Sequence, residues 1–348
     1  MYNNLVEYTG KCPCGGATVR FYAPAVVFLG LNSYFCAKQK TETMSRFHAA
    51  FIALMLFPLA VFSQRHIERG YRTILSADAQ VFVEMLASDS LQGRDSGGSG
   101  GRMAAEYIVS LLSEWGIRPL NDDGYMQPFV AKDCEMNNIL AVIPGKSREY
   151  VVIGAHYDHV GIGVAIDGDS CYNGADDNAS GVSAVLQIAR AVKMMCRNPG
   201  RGIIFAFWDG EEKGLLGSRH FVENCPFLSD ISAYMNFDMI GRGPVDNPKH
   251  LTYFYTASHP VFGDWLKEDM AAYGFSFIPD YRAWDNPIGG SDNAYFAKNG
   301  IPIVWYHTEG HPDYHCPSDA ADKINYEKMV DITRAAFLCT WRLANEKY

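Results

Sequence analysis

The sequence is short of positive charge. Its 348 residues carry 30 Lys and Arg against 39 Asp and Glu, a formal net charge of −9, and no basic run occurs anywhere. That balance argues against a nucleic-acid partner, which needs a basic footprint. No apolar stretch is long enough to cross a bilayer. The candidate Ala49–Phe62 is interrupted by Pro58, and a spanning helix needs about 20 apolar residues. A phosphate-binding loop is absent as well. The Gly-rich stretch LQGRDSGGSGG at 91–101 lacks GK[ST] and follows no strand pattern. Internal repeats and low-complexity segments are likewise missing. What is present is an ordinary globular composition, 48% hydrophobic and 20% charged, able to bury a full core.

Residues 44–64, MSRFHAAFIALMLFPLAVFSQ, have a short basic start, an apolar stretch and modest residues at the end. This is the pattern of a secretory signal peptide, 44–63, with an uncleaved anchor as the other reading. No cysteine follows it, which speaks against lipid attachment. A signal peptide begins a chain, so residues 1–43 read as an upstream mis-translation or a disordered prefix, with Met44 the start. Five basic and two acidic residues precede Gln64, so the chain from there carries −12. The lone Cys12-Pro-Cys14 is too weak to read as a metal motif. Six cysteines remain beyond the prefix, at 134, 171, 196, 225, 316 and 339. Their wide, irregular spacing leaves disulfides and buried thiols both open. Residues 64–348 read as a single catalytic domain with a helical lead-in.

Within that domain, Ala105, Ile108, Leu112 and Trp115 mark one helical face in the lead-in Tyr71–Trp115. Apolar runs near 138–143, 150–154, 203–207, 231–237, 251–256 and 301–306 read as strands. Helical patterns at 182–192, 214–224, 261–273 and 326–345 lie between or after them. Strands alternating with helices imply an α/β fold with a mostly parallel sheet. Several runs end in a burst of ionisable residues. Val151-Val152-Ile153 leads to His156 and Asp158. Ile203–Phe207 leads to Asp209, Glu211 and Glu212, and Asp176-Asp177 sits in a Gly/Asn-rich loop between them. Ligands of open α/β sheets gather at the carboxyl ends of strands. Histidine with carboxylates there suits a pair of divalent ions, zinc in preference to magnesium. Such a pair needs a bridging carboxylate and a further carboxylate as general base. Candidates are His156, Asp176, Glu211, Glu212, Asp238 and His315.

In their order and spacing, GAHYDH, NGADDNASG, FWDGEEKGLLGS, NFDMIG and YHCPSD resemble the motifs of the M28 zinc peptidases, aminopeptidase branch. The resemblance runs from LASDSLQGR to the C-terminal helix, about residues 75–345. It implies a three-layer α/β sandwich, a mostly parallel mixed central sheet flanked by helices, of the zinc-aminopeptidase (phosphorylase/hydrolase-like) kind. It implies two zinc ions: His156 and Asp238 on one, Glu212 and His315 on the other, Asp176 bridging. Glu211 would be general base and acid, and Asp158, without touching an ion itself, would hold the His156 imidazole in its ligating tautomer. Tyr314 matches a tyrosine that steadies the oxyanion in some relatives. The family's loop usually carries histidine where Asn293 stands here, which puts substrate contacts from that loop in doubt.

The remaining ionisable residues have plainer readings. Asp177 reads as a loop or helix-cap residue, and His159, His307 and His311 as packing or solvent-facing. Asp209 orients a neighbour or ends its strand, and Asp319 supports His315 or caps the next helix. Tyr281 and Trp284 are candidate walls of a side-chain pocket. The function implied is an exported aminopeptidase acting on peptides with a free N-terminus, through a metal-bound hydroxide and the Glu211 base. It implies no nucleic-acid partner and no stable membrane insertion of the mature chain. A glutaminyl cyclase with one zinc is the alternative, although that branch generally alters the DGEE or ADDNASG segment, which here keep the peptidase form. A catalytically inactive binding domain is a third reading, disfavoured because every ligand position is filled.

Overall fold

The computed structural model describes residues 5–11, 18–24, 65–285 and 289–348. The chain divides into two units, 1–65 and 66–348. In the first, β1 (Leu5–Lys11) and β2 (Thr18–Pro24) pair antiparallel. The expected signal segment 44–63 lies outside the described residues, as does the Cys12–Cys14 pair.

The second unit is built on one nine-stranded sheet. In chain order its strands are β3 (Arg118–Pro119), β4 (Met126–Ala131), β5 (Cys134–Ile143) and β6 (Tyr150–His156). A separate hairpin, β7 (Ile162–Ile166) and β8 (Asp169–Cys171), follows. The sheet then continues with β9 (Gly202–Trp208), β10 (Ile231–Phe237), β11 (His250–Tyr255), β12 (Ile278–Ala283) and β13 (Ile303–His307). The spatial order is β12-β11-β13-β10-β6-β9-β5-β3, with β4 also on β5. The central strands β13, β10, β6 and β9 run parallel, and antiparallel pairs flank them. Their carboxyl ends therefore meet along one edge.

The central strands are apolar throughout because both faces are covered. Side chains alternate across the sheet with period two. Ile203, Phe205 and Phe207 join the core on one face, Ile204, Ala206 and Trp208 the core on the other. The first face is covered by helices Ser76–Leu86, Ser99–Glu114, Gly181–Met194 and Tyr326–Asn345 and the second by Leu216–Asn224 and Asn293–Lys298. This is the expected helix–sheet–helix sandwich. Each large apolar side chain buried this way contributes about 1.5–3 kcal/mol.

Local differences from the sequence reading have physical causes. The lead-in helix starts at Ser99, inside the Gly-rich stretch. A Cβ at Gly100 would lie 1.8 Å from the Leu91 carbonyl oxygen, so glycine there lets two backbones touch. The six cysteines beyond the prefix are all unpaired, which closes the disulfide question for the described residues. Among them, no helix is long and apolar enough to cross a membrane.

Candidate metal centre

The strand ends assemble two adjacent groups of donor atoms. One is His156, Glu211 and Asp238; the other is His159, Asp177, Glu212 and His315. In each group the potential ligand atoms lie within 4.8 Å of one another. β6 brings His156, and its continuation brings His159. β9 pairs with β6 in parallel register, His156 opposite Trp208, and its continuation brings Glu211 and Glu212. Asp238 follows β10 directly.

Asp177 joins the groups. Its Oδ1 lies 3.4 Å from His156 Nε2, and its Oδ2 lies 3.1 Å from His315 Nε2 and 3.6 Å from His159 Nδ1. His156 Nε2 is 3.7 Å from Asp238 Oδ1, and His315 Nε2 is 3.1 Å from Glu212 Oε2. Asp176, expected to bridge, faces the other way. Its Oδ1 accepts the Gly241 and Arg242 N–H groups at 2.6 and 3.2 Å, and its Oδ2 lies 3.2 Å from His311 Nε2. Adjacent side chains of the loop point in opposite directions, and Asp177 is the one placed between the two groups. The loop is held in this pose by Asp319, whose carboxylate accepts the N–H groups of Asp176 and Asp177 at 3.0–3.1 Å. That is its role, rather than support of His315 or a helix cap.

Asp158 also differs in detail. Its carboxylate accepts the Glu211 and Glu212 N–H groups at 3.1 and 3.3 Å and the Ser96 hydroxyl at 2.9 Å, fixing the turn that carries both glutamates. The atom nearer His156 Nδ1 is the Asp158 main-chain oxygen, 3.2 Å away, against 3.8 Å for the carboxylate. The carbonyl therefore does the orienting expected of the side chain. Asp209 accepts the Asn137 N–H and the Tyr157 hydroxyl, tying β9 to its neighbours. His307 Nδ1 is 2.6 Å from the Asp238 carbonyl oxygen.

Arg94 is the structural residue the sequence reading missed. It is fully buried, and its guanidinium donates to five main-chain carbonyls. Nε reaches Tyr157, Nη1 reaches Leu86 and Asn173, and Nη2 reaches Gly174 and Asp177, at 2.6–3.3 Å. It thus ties the end of β6 to the Asp177 loop. Buried acceptors need partners, and one side chain supplies five.

The electrostatics are those of a pocket holding more negative charge than it can keep. Burial, with Asp238, Asp292 and Asp158 nearby, pushes Glu211 up to about 10 against the opposing pull of His156. Burial, reinforced by Asp209 and Glu212, raises Asp158 to about 8. Glu212 goes the other way. Burial works to raise it, but the hydrogen bond with His159 and the close approach of His315 outweigh that and hold it well below the usual carboxylate range. Burial works to lower His156, yet Glu211, Asp238 and Asp177 together raise it well above its ordinary value. His315 Nε2 is buried between two carboxylate oxygens and in hydrogen-bonding geometry with neither. Donor atoms that converge without a proton to share fit a cation between them.

A cavity of about 270 Å³ opens onto these groups. Met239, Gly290, Trp305, His307, Gly310 and Tyr314 line the rest of it. Tyr314 is half exposed, stacked on His315 with ring centroids 4.0 Å apart. Tyr281 and Trp284 are not among the lining residues; Trp284 instead packs against Phe254, 6.4 Å away. Asn293 is buried, its Oδ1 3.3 Å from Asn236 Nδ2.

Fold and site together define an α/β protein with a candidate two-ion centre at the strand ends. The family model of peptidase family M28 matches residues 138–339, more than half of the chain, and the chain belongs to that family. Leupeptin-inactivating enzyme 1 of Streptomyces exfoliatus is 31% identical over 224 residues, 64% of this chain and 46% of that protein. The chain spans about half the length of the curated relatives it matches. Among solved structures, the LapA aminopeptidase of Legionella pneumophila superposes with a TM-score of 0.66 at 24% identity, covering 82% of this chain and 75% of LapA. A glutaminyl cyclase from Porphyromonas gingivalis superposes at 0.59 with 20% identity, over 76% of this chain and 97% of that one. At these identities the superpositions establish the fold, a mixed sheet between helical layers, and nothing finer.

Proposed function

We propose that the chain is an exported dinuclear zinc aminopeptidase that hydrolyses the N-terminal peptide bond of peptides. The observation that carries this reading is Asp177, whose two carboxylate oxygens face two separate donor groups. His156, Asp238 and Asp177 Oδ1 would hold one ion, and Asp177 Oδ2, Glu212 and His315 the other. Imidazole and carboxylate together suit zinc. When bound, such a pair supplies Lewis acidity to a water and to the scissile carbonyl. Export rests on the pattern of residues 44–63.

The chain's own residues do the rest. Glu211 sits within the His156–Asp238 group; with a cation beside it favouring its ionised form, it acts as the base that takes the proton from water. It then delivers that proton to the departing amine nitrogen. Asp158 fixes the turn so that Glu211 faces the cavity while Glu212 faces His315. Tyr314, at the cavity mouth, donates its O–H to the carbonyl oxygen as negative charge develops there. The acidic residues on one side of the cavity match a free α-ammonium. Met239 and Trp305 offer apolar wall to the first side chain.

The test is to express the chain from Gln64, count zinc per protein, and assay a panel of aminoacyl amides beside an N-terminal glutaminyl peptide. Two zinc ions are expected, with amide release that Glu211→Gln abolishes while metal is retained. A single zinc with cyclised product and no amide cleavage would replace this reading by glutaminyl cyclase. Bound metal with neither activity would install a binding role.

A further inference from the structure

Resting on the two-ion reading, we infer that His159 is a fourth protein ligand at the second ion position, so that this position is closed by Asp177, Glu212, His315 and His159. The carried-over family pattern supplies only three side chains there, and nothing in the sequence distinguishes His159 from a packing histidine.

The spacing of the donor atoms supports the assignment. A tetrahedral zinc with bonds of about 2.0–2.1 Å separates its donors by roughly 3.3–3.4 Å. His159 Nδ1 lies 2.8 Å from Glu212 Oε1 and 3.6 Å from Asp177 Oδ2, and His315 Nε2 lies 3.1 Å from both Asp177 Oδ2 and Glu212 Oε2. These four separations straddle the tetrahedral value, with Glu212 presenting Oε1 to His159 and Oε2 to His315, and one donor atom from each of the four residues lies within 4.8 Å of the others.

The seat of the ring supports it independently. His159 is 1% exposed, and its ring packs against Gly174. A Cβ on Gly174 would fall 2.5 Å from His159 Cδ2, and Gly174 has φ +59°. Arg94 holds the carbonyls of both Gly174 and Asp177, so one guanidinium fixes the wall behind the ring and the carboxylate in front of it. Without an ion, Nδ1–H can donate to Glu212 Oε1. The two uses are exclusive, because a nitrogen bound to metal carries no hydrogen. Metallation moves the ring proton to Nε2, which has no acceptor in the protein.

The consequence is an asymmetric pair. Sites closed by four protein groups are structural in character, whereas catalytic positions keep an open coordination place. With four protein groups against three, the His159 position is the tighter holder and the His156–Asp238 position, beside Glu211, the more open one.

The decisive experiment uses the unmodified protein, labelled with ¹⁵N-histidine and loaded with ¹¹³Cd²⁺. Three imidazoles with one-bond cadmium coupling are expected: His156 and His315 through Nε2 and His159 through Nδ1. Coupling to only two imidazoles would overturn the assignment while leaving the two-ion reading intact. Failure to bind cadmium at all would overturn both. In parallel, His159→Ala and His159→Asn should each weaken retention of the tighter zinc at least about 100-fold in chelator competition, beyond the usual loss of an outer-shell partner. Asn can still donate an N–H to Glu212. Restoration of wild-type retention by Asn would therefore reduce His159 to a hydrogen-bond donor and refute the inference.

Discussion

Replacing Arg94 by Met tests the framework behind the site. The substitution keeps an unbranched apolar stem but strips the hydrogen bonds from five buried carbonyls, those of Leu86, Tyr157, Asn173, Gly174 and Asp177. At about 1 kcal/mol net for each lost bond the sum approaches 5 kcal/mol. Relief from burying the guanidinium offsets part of it, leaving roughly 3–5 kcal/mol. For a domain of this size that lowers the melting temperature by roughly 6–10 °C, at about 2 °C per kcal/mol. Arg94→Lys keeps the charge but presents at most three hydrogens from a single atom against five acceptors, so it should recover no more than about three fifths of the loss. The assay is urea denaturation of the zinc-free protein, which separates framework from metal. Destabilisation of Arg94→Met below about 1 kcal/mol would refute the reasoning. So would full recovery by Lys, since charge alone would then account for the effect.

Further outcomes follow from neighbouring residues. Asp177→Asn should impair metal retention at both positions, whereas Asp176→Asn, which keeps an acceptor for the Gly241 and Arg242 N–H groups, should leave two ions bound; metal analysis of the two variants decides. Gly100→Ala places a methyl 1.8 Å from the Leu91 carbonyl oxygen and should cost about 3 kcal/mol through backbone displacement, read as a fall in melting temperature. Removing metal with a chelator should lower the melting temperature, since an ion at 100 times its Kd stabilises by about 2.7 kcal/mol; an unchanged melt would contradict an occupied centre. Burial pulls the Lys328 ammonium down from 10.5 to about 8. The unfolded chain then holds that proton over a range where the folded one has lost it, so stability should rise with pH between about 8 and 10.5. Lys328→Met should flatten that rise.

What could be read from the sequence is what has a local signature. β6, β9, β10 and β13 are apolar runs because both their faces are buried, so both their existence and their layered setting were legible. β4 was not. Its residues MQPFVA contain Pro128 and lie mostly half-exposed at a sheet margin, where neither apolar continuity nor clean alternation survives. β12 hides for the same reason. At the site, the motifs placed His156, Glu211, Glu212, Asp238 and His315 together. They named Asp176 rather than Asp177 for the bridge, because which of two adjacent loop residues turns inward is decided by Asp319, 142 positions beyond Asp177. His159 meets its carboxylate partner from a strand that returns 53 residues later. Arg94 acts only on carbonyls, which every residue has, so no pattern of residue types announces its role.

The parallel pairing of β6 with β9 has a mechanical consequence. Each donor group pairs a residue at or just past the end of β6 with one from the turn after β9: His156 with Glu211, His159 with Glu212. Neighbouring strands are locked about 4.8 Å apart by their ladder of hydrogen bonds. The two groups are therefore ruled by the same lattice spacing, like marks on adjacent bars of one grid. The spacing of the donor groups is thus anchored at the sheet's central pair of strands, whereas Gly290 and Gly310 of the cavity wall belong to other loops.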